Sequence, residues 1–299
     1  MAVTEALELP RARGKARAAL AALRPRQWTK NALVFAGIVF AARTGDAGKW
    51  LEALAAFAAY CAASSAAYLV NDLRDVGHDR LHPTKRLRPI ARGEVSERVA
   101  GSMGLALVAA AVVLTSLLGI WSLVLLLGFL GLQAAYSLGL KHVVLLDVAA
   151  IAGLFVIRAA AGAVAVHVRI SPWLLVCTAL LALFLALAKR RAELALVAAQ
   201  ATPGRPVLDG YSPALLDRLV GALAVSTALV YAAYTVVGGN SHWLAVTIPF
   251  VVFGIGRYVW LIRGRGAGEE PEEVLLRDLP LLAAIVAWAA ASAAILLVT

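Results

Sequence analysis

An all-α bundle of membrane-spanning helices is the fold class this sequence predicts, and three observations predict it. Of its 299 residues, 62% are hydrophobic and only 15% charged, with a mean hydropathy of +0.82; in soluble domains about a quarter are charged. The apolar residues fall into runs close to the ~20 residues that cross the hydrocarbon core of a bilayer. Lys and Arg crowd into alternate connections between those runs, as expected when basic residues stay on the cytoplasmic side. The chain therefore reads as a polytopic integral membrane protein.

Nine such runs lie at residues 27–43, 50–70, 98–118, 121–140, 144–166, 172–189, 213–237, 242–262 and 280–298, which predicts nine transmembrane helices. No hydrophilic stretch beyond the first run is long enough for a second domain. The chain divides into a leader, residues 1–23, and a single nine-helix transmembrane domain, residues 24–299. The leader has scattered arginines but no apolar core followed by a small-residue cleavage site, so it is not a secretory signal. An amphipathic segment on anionic lipid and a disordered tail both suit its composition.

The net charge of +10 would suggest nucleic acid in a soluble protein, but its distribution follows topology, so nucleic acid is excluded as a partner. Basic residues concentrate before the first helix, between Asn71 and Arg98, and around the cytoplasmic ends of the later helices. The opposite side holds only Arg43, Lys49 and Arg169. This predicts a cytoplasmic N-terminus and an outside C-terminus. Cys61 and Cys177 lie within apolar runs without metal-ligand spacing and read as small core residues.

The stretch from Asn71 to Gly93, NDLRDVGHDRLHPTKRLRPIARG, is what an ordinary apolar membrane protein has no reason to carry. On a helix of about 3.6 residues per turn, Asp72, Asp75 and Asp79 fall within a wedge of roughly 60°. Three carboxylates on one face repel each other, and a divalent cation removes that repulsion. Hard oxygen ligands, with Asn71 included, suit Mg²⁺, which completes its shell with waters and substrate phosphates. Lys85, Arg86, Arg88 and Arg92 supply positive charge for the phosphates such a metal leaves unneutralised. A solvated loop that fixes topology explains the arginines equally well; it does not explain the aspartates.

The other polar islands fall at predicted cytoplasmic helix ends. RPRQWTKN sets Arg26 and Lys30 one turn apart with Gln27 beside them, either as a snorkelling anchor with Trp28 or as substrate ligands. YSLGLKHVVLLD places Tyr136, Lys141 and Asp147 around a tight turn, where Lys141 serves topology or a phosphate. Arg158 in FVIRAAAG lies roughly 20 Å deep if its helix is regular. It either pairs with a buried acid such as Asp147 or lines a polar cavity. In ALAKRRAEL, Lys189 and Glu193 stand at i, i+4 with Arg190 beside them, as a helix-end ion pair or a phosphate site. The acidic linker GRGAGEEPEE reads as a solvated cap. His78, His82 and His142 read as loop residues.

From Arg24 to the C-terminus, this pattern resembles the UbiA superfamily of intramembrane transferases. The resemblance rests on the aspartate-rich motif at Asn71, Asp72, Asp75 and Asp79, on Arg88, Pro89, Ile90 and Gly93 after it, and on Tyr136 and Lys141. It implies nine helices around a central cavity, and Mg²⁺ at the aspartates. One departure is informative: the prenyltransferases of the family carry a second aspartate-rich motif, where this chain has Lys189-Arg190-Arg191-Ala192-Glu193. The combination of RPRQWTKN, YLVNDLRDVGHDRLHPTKRLRPIA, YSLGLKH, IRAAAG and AKRRAEL is similar instead to the branch that handles phosphoribose.

That resemblance implies a Mg²⁺-dependent phosphoribosyltransferase of the bacterial cell membrane, its site facing the cytoplasm. It would move 5-phosphoribosyl from phosphoribosyl pyrophosphate to decaprenyl or another polyprenyl phosphate for cell-wall arabinan, in the arabinogalactan. Asp72, Asp75 and Asp79 would be the catalytic carboxylates. Lys189 and Arg190 would hold the donor's 5-phosphate. A prenyltransferase acting on an aromatic acceptor is the alternative within the family, and a transporter is the alternative outside it. A homo-oligomer is left open by the sequence.

Overall fold

The computed structural model describes residues 13–40, 45–82, 84–200, 206–238, 241–265, 274–275 and 277–298. Within them the chain is helical and contains no strand. It forms α1 (Lys15–Ala22), a 3₁₀ segment (Pro25–Phe35) running into α2 (Ala36–Phe40), α3 (Ala47–Arg74), α4 (Val76–Leu81), α5 (Glu97–Leu117), α6 (Ile120–Leu138), α7 (Leu146–Ala165), α8 (Pro172–Gln200), α9 (Pro213–Ala233), α10 (Ile248–Arg265) and α11 (Leu279–Val298). The chemistry of the connections sets these limits. Asp46, Ser96 and Ser212 accept backbone N–H bonds at the starts of α3, α5 and α9. Gly119, at φ +112°, makes the tight turn from α5 to α6.

Among the described residues, eight helices are long and apolar enough to cross a membrane, and they match eight of the nine predicted runs. The remaining run, 27–43, differs: it is a 3₁₀ helix followed by one short α-helix, and residues 41–44 lie outside the described residues. At about 2.0 Å per 3₁₀ residue and 1.5 Å per α residue, Pro25–Phe40 still extends roughly 30 Å. It lies flush against α7. A Cβ on Gly162 would run into the Val34 carbonyl, and one on Gly37 into the Ala163 backbone.

The interior belongs to α3 and α7. Their apolar windows are 56% and 61% buried, against at most 33% for the other spans, so these two form the axis and the rest a ring facing lipid. One apolar cluster joins α3, α5, α6 and α7 through Tyr60, Ala111, Leu126, Phe129 and Leu154. Another joins α7 to α8, α9, α10 and α11 through Val148, Phe184, Leu216, Tyr258 and Leu281.

Successive spans run antiparallel, so the C-terminal ends of α3, α6 and α8 and the start of α7 share one side. Two spans are overlong: α3 has 28 residues and α8 has 29, about 42 Å each against a core of ~30 Å. Their surplus turns emerge at that same end and carry Asn71 to Arg74 and Lys189 to Glu193. At this end α1 also packs inward, burying Ala18 and Ala22 against Leu69, Ile90, Val95 and Ala100. Residues 1–12 lie outside the described residues.

Candidate functional site

Two charged clusters stand at this end. The first is built on the junction between α3 and α4. Helical progression continues through the break, with Asp75 N donating to Asn71 O at 3.0 Å and Asp79 N to Asp75 O at 2.8 Å. Asp72 and Asp79, seven residues apart and only about 20° apart around a helix, therefore face the same way. Arg88 Nη1 bridges them, 3.1 Å from Asp72 Oδ1 and 2.6 Å from Asp79 Oδ2. Both carboxylates are 2% exposed. Arg88 is held in reach because buried Pro89, Ile90 and Val95 pin the loop behind it, and Gly93 at φ +73° turns the chain back.

A second arginine reaches Asp72 from the N-terminal side. Arg24 Nη2 lies 2.6 Å from Asp72 Oδ1, and its guanidinium sits 4.8 Å from the centre of the Tyr68 ring. Arg24 adopts φ +53°, ψ +61°, a left-handed conformation that costs a non-glycine residue roughly 1–2 kcal/mol. Ser65 fixes the turn around it, donating to Leu23 O at 2.9 Å and accepting from Trp28 Nε1 at 3.0 Å.

Asp75 is half-buried at the helix junction, and among the described residues its carboxylate takes no hydrogen bond. Arg86 presents a buried Nε without a hydrogen-bond partner. Lys85 is exposed in a 3₁₀ turn, and Asn71 is half-buried on α3. Among the described residues, no three carboxylate, imidazole or thiol groups come close enough together to enclose a metal ion.

The second cluster joins α7 and α8. Arg190, 1% exposed, donates from Nε to Asp147 Oδ2 at 2.7 Å and from Nη1 to Glu193. Asp147 is fully buried, and its other oxygen accepts from Tyr211 Oη at 2.9 Å. Leu145 N donates to the same phenol, and Leu145 is a further left-handed residue, at φ +66°. Burial pushes the Tyr211 phenol up to about 12, with Asp147 acting in the same direction and the Leu145 N–H against it. Tyr136 lies near the same guanidinium. Lys141, in the turn between α6 and α7, and Lys189 are half-buried at this end.

The structure decides two pairings that the sequence left open. Glu193 is bound by Arg190 at i, i+3, and not by Lys189 at i, i+4. Asp147 is taken by Arg190, so Arg158 does not pair with it. Arg158 instead donates from Nε to Asn31 Oδ1 at 2.7 Å and from Nη1 to Leu154 O at 3.1 Å. It lies over Phe129 and Phe155, making a buried polar contact between α7 and the 3₁₀ segment that is separate from both clusters. In the N-terminal segment, Arg24 meets Asp72; Arg26 is exposed, and Gln27 and Lys30 are half-buried on the 3₁₀ helix. Sequence reasoning passed over Arg24 and Tyr211, and it placed Asn31 on the flank of the Arg26 and Lys30 face without its partner Arg158. For Arg24 the available signal was Pro25, which is disposed to start a helix and so makes residue 24 the turn before it.

Fold and charge placement together define a polytopic α-helical membrane protein whose ionic side chains gather at one end of the bundle. The chain matches the model of the UbiA prenyltransferase family over residues 32–277, and it belongs to that family. It is 39% identical over 281 residues to the decaprenyl-phosphate phosphoribosyltransferase of Mycobacterium tuberculosis, covering 90% of this chain and 91% of that protein. To the protein of the same name from Corynebacterium glutamicum it is 36% identical over 279 residues, covering 89% and 83%. Among solved structures, a UbiA homolog from Archaeoglobus fulgidus bound to GPP and Mg²⁺ superimposes with a TM-score of 0.71 at 20% identity, covering 94% of this chain and all of that one.

Proposed function

We propose that this chain transfers the 5-phosphoribosyl group of phosphoribosyl pyrophosphate to decaprenyl or another polyprenyl phosphate, in the bacterial cell membrane, with its site and N-terminus cytoplasmic. The products are a polyprenylphosphoryl ribose 5-phosphate, a precursor for cell-wall arabinan, and pyrophosphate. The observation that carries this reading is the 39% identity across nine-tenths of the chain to a phosphoribosyltransferase of that name.

In this reaction an oxygen of the acceptor phosphate attacks the anomeric carbon of the ribose. The bond from that carbon to the pyrophosphate oxygen breaks, and its electron pair leaves with pyrophosphate. The acceptor is a phosphate monoester with a second pKa near 6, already largely anionic at neutral pH, so no base has to remove a proton. The work left to the protein is to stabilise the leaving group and orient two anions.

The aspartate cluster suits the leaving group. The buried Nε of Arg86 calls for an acceptor oxygen, and Arg88, two residues further on, reaches Asp72 together with Arg24. Asn71, Asp72, Asp75 and Asp79 form an all-oxygen donor set, with Asp75 uncommitted among the described residues. They fit a Mg²⁺ that takes one or two carboxylates and fills its shell with waters and phosphate oxygens. When bound, Mg²⁺ supplies positive charge to the leaving pyrophosphate.

At the other cluster, Lys189 and Lys141 bind the donor's 5-phosphate. Arg190 is a positioning residue, because its hydrogen bonds to Asp147 and Glu193 fix the end of α8 against the start of α7. Supplying purified protein with either substrate pair tests the reading. Pyrophosphate release from phosphoribosyl pyrophosphate that requires a polyprenyl phosphate supports it. Turnover only with a prenyl diphosphate and an aromatic acceptor refutes it.

A further inference from the structure

Tyr211 is a buried phenol of the second cluster that no step of the reaction above employs. It follows a short 3₁₀ turn, Pro206–Gly210, in the connection from α8 to α9. Val207, Leu208 and Tyr211 are buried although they belong to a connection. Val207 and Tyr211 pack into the apolar cluster of Val148, Phe184, Leu187 and Leu216 that joins α7, α8 and α9. The phenol is therefore anchored in the core, and its oxygen has a fixed place.

That oxygen joins two elements. It accepts from Leu145 N at 2.9 Å and donates to Asp147 Oδ1 at 2.9 Å. Burial keeps the phenol protonated well above neutral pH, so the hydrogen it donates is present. Asp147 in turn takes Arg190 from α8, and Arg190 takes Glu193. One chain of hydrogen bonds thus runs from the α6–α7 turn, which carries Lys141, to the end of α8, which carries Lys189.

The backbone of Leu145 needs this support. Leu145 is the N-cap of α7 and holds φ +66°, ψ −36°, near the rare and strained form of γ-turn. Its side chain is 53% exposed, so packing of that side chain does not hold the backbone there. In a capping box the N-cap N–H is met by a Glu or Gln three residues on. Val148 occupies that place here, and Tyr211 supplies the oxygen from 66 residues away. Gly210 braces the same turn, since a Cβ on it would run into the Val144 side chain.

We propose that Tyr211 is a positioning residue for the donor: by tying the strained Leu145 backbone to Asp147, it sets the Lys141 turn against the Lys189 helix end so that both lysines reach one phosphate. The inference rests on the function proposed above, and in particular on the assignment of the two lysines to the donor's 5-phosphate. The phenol acts through Lys141 and needs no contact with substrate.

The test uses full-length protein in nanodiscs, with KM measured for each substrate. Tyr211→Phe keeps the ring and removes the oxygen. It should raise the KM for phosphoribosyl pyrophosphate about tenfold, the loss of roughly one charge-assisted contact, with the KM for decaprenyl phosphate within about twofold of wild type. Adding Leu145→Gly should return most of the donor affinity, because glycine takes a positive φ without the tether and is tolerated at an N-cap. In a Lys141→Ala background Tyr211→Phe should have little further effect, since residues that act through one contact are not additive. A donor KM within about twofold of wild type in folded Tyr211→Phe overturns the proposal. So does a rise shared equally by both substrates, a defect that Leu145→Gly leaves unchanged, or an effect that multiplies with that of Lys141→Ala, as a merely structural tyrosine predicts. If Tyr211→Phe fails to fold, Gly210→Ala decides, because it keeps every hydrogen-bonding group and only displaces the turn. It should reproduce the donor defect, and Val144→Ala should relieve it; a normal donor KM in Gly210→Ala overturns the proposal. A wild type that forms no phosphoribosylated lipid removes the parent reading and this one with it, whereas an active wild type with an unaffected Tyr211→Phe removes only the positioning role.

Discussion

Replacing Arg190 by methionine separates a guanidinium that holds the protein together from one that holds substrate. Arg190 is 1% exposed and Asp147 fully buried, and their 2.7 Å contact provides the charge opposite that carboxylate. The methionine fills most of the space and leaves Asp147 with the Tyr211 hydroxyl alone. Removing one partner of a buried ion pair costs about 3–5 kcal/mol. At roughly 2–4 °C per kcal/mol for a chain of this size, the unfolding midpoint should fall on the order of 10 °C. Cys61 is buried and Cys177 half-buried, so a thiol-reactive dye in detergent reports unfolding directly. The double variant Arg190→Met with Asp147→Asn should recover most of the loss, since no buried charge is then stranded. Lys189→Ala should do the opposite: a midpoint within about 2 °C of wild type, with the KM for phosphoribosyl pyrophosphate raised about tenfold or more. An Arg190→Met protein that melts like wild type and loses only donor affinity would refute the positioning role.

Asp75→Asn should abolish turnover while leaving the melting temperature unchanged, because Asp75 makes no hydrogen bond among the described residues; Asp72→Asn should lose both activity and stability, having Arg24 and Arg88 against it. Arg24→Gly should melt a few degrees above Arg24→Ala, since glycine relieves a left-handed backbone by about 1 kcal/mol, while both lose activity alike; equal melting would show that the turn is unstrained. Gly162→Ala should destabilise by about 1–3 kcal/mol, read as lower yield of folded protein, because its Cβ meets the Val34 carbonyl.

Composition and periodicity made the bundle legible: eight of the predicted runs are spans, and their charged ends lie on one side. The run at 27–43 was less legible because hydropathy registers length and apolarity, and a 3₁₀ helix satisfies both. What sequence spacing could not give was the partner of each charge. Lys189 and Glu193 have ideal helical spacing, yet Arg190 takes Glu193, because α7 approaches that face of α8 and brings Asp147 with it. Arg158 and Asp147 are both on α7 and both buried, yet each is satisfied by a different element, Asn31 of the N-terminal segment and Arg190 of α8. Arg24 was hidden for a similar reason. Its role depends on a left-handed turn that places it 2.6 Å from a carboxylate 48 residues away, and no local pattern encodes that contact.

The most direct measurement of the central claim is the mass of the lipid product. Purified protein in nanodiscs, given phosphoribosyl pyrophosphate, decaprenyl phosphate and Mg²⁺, should convert the lipid to a species heavier by one phosphoribosyl group, with an equal amount of pyrophosphate released and none formed when the metal is chelated. A lipid of unchanged mass, from protein that prenylates an aromatic acceptor under the same conditions, would contradict the account.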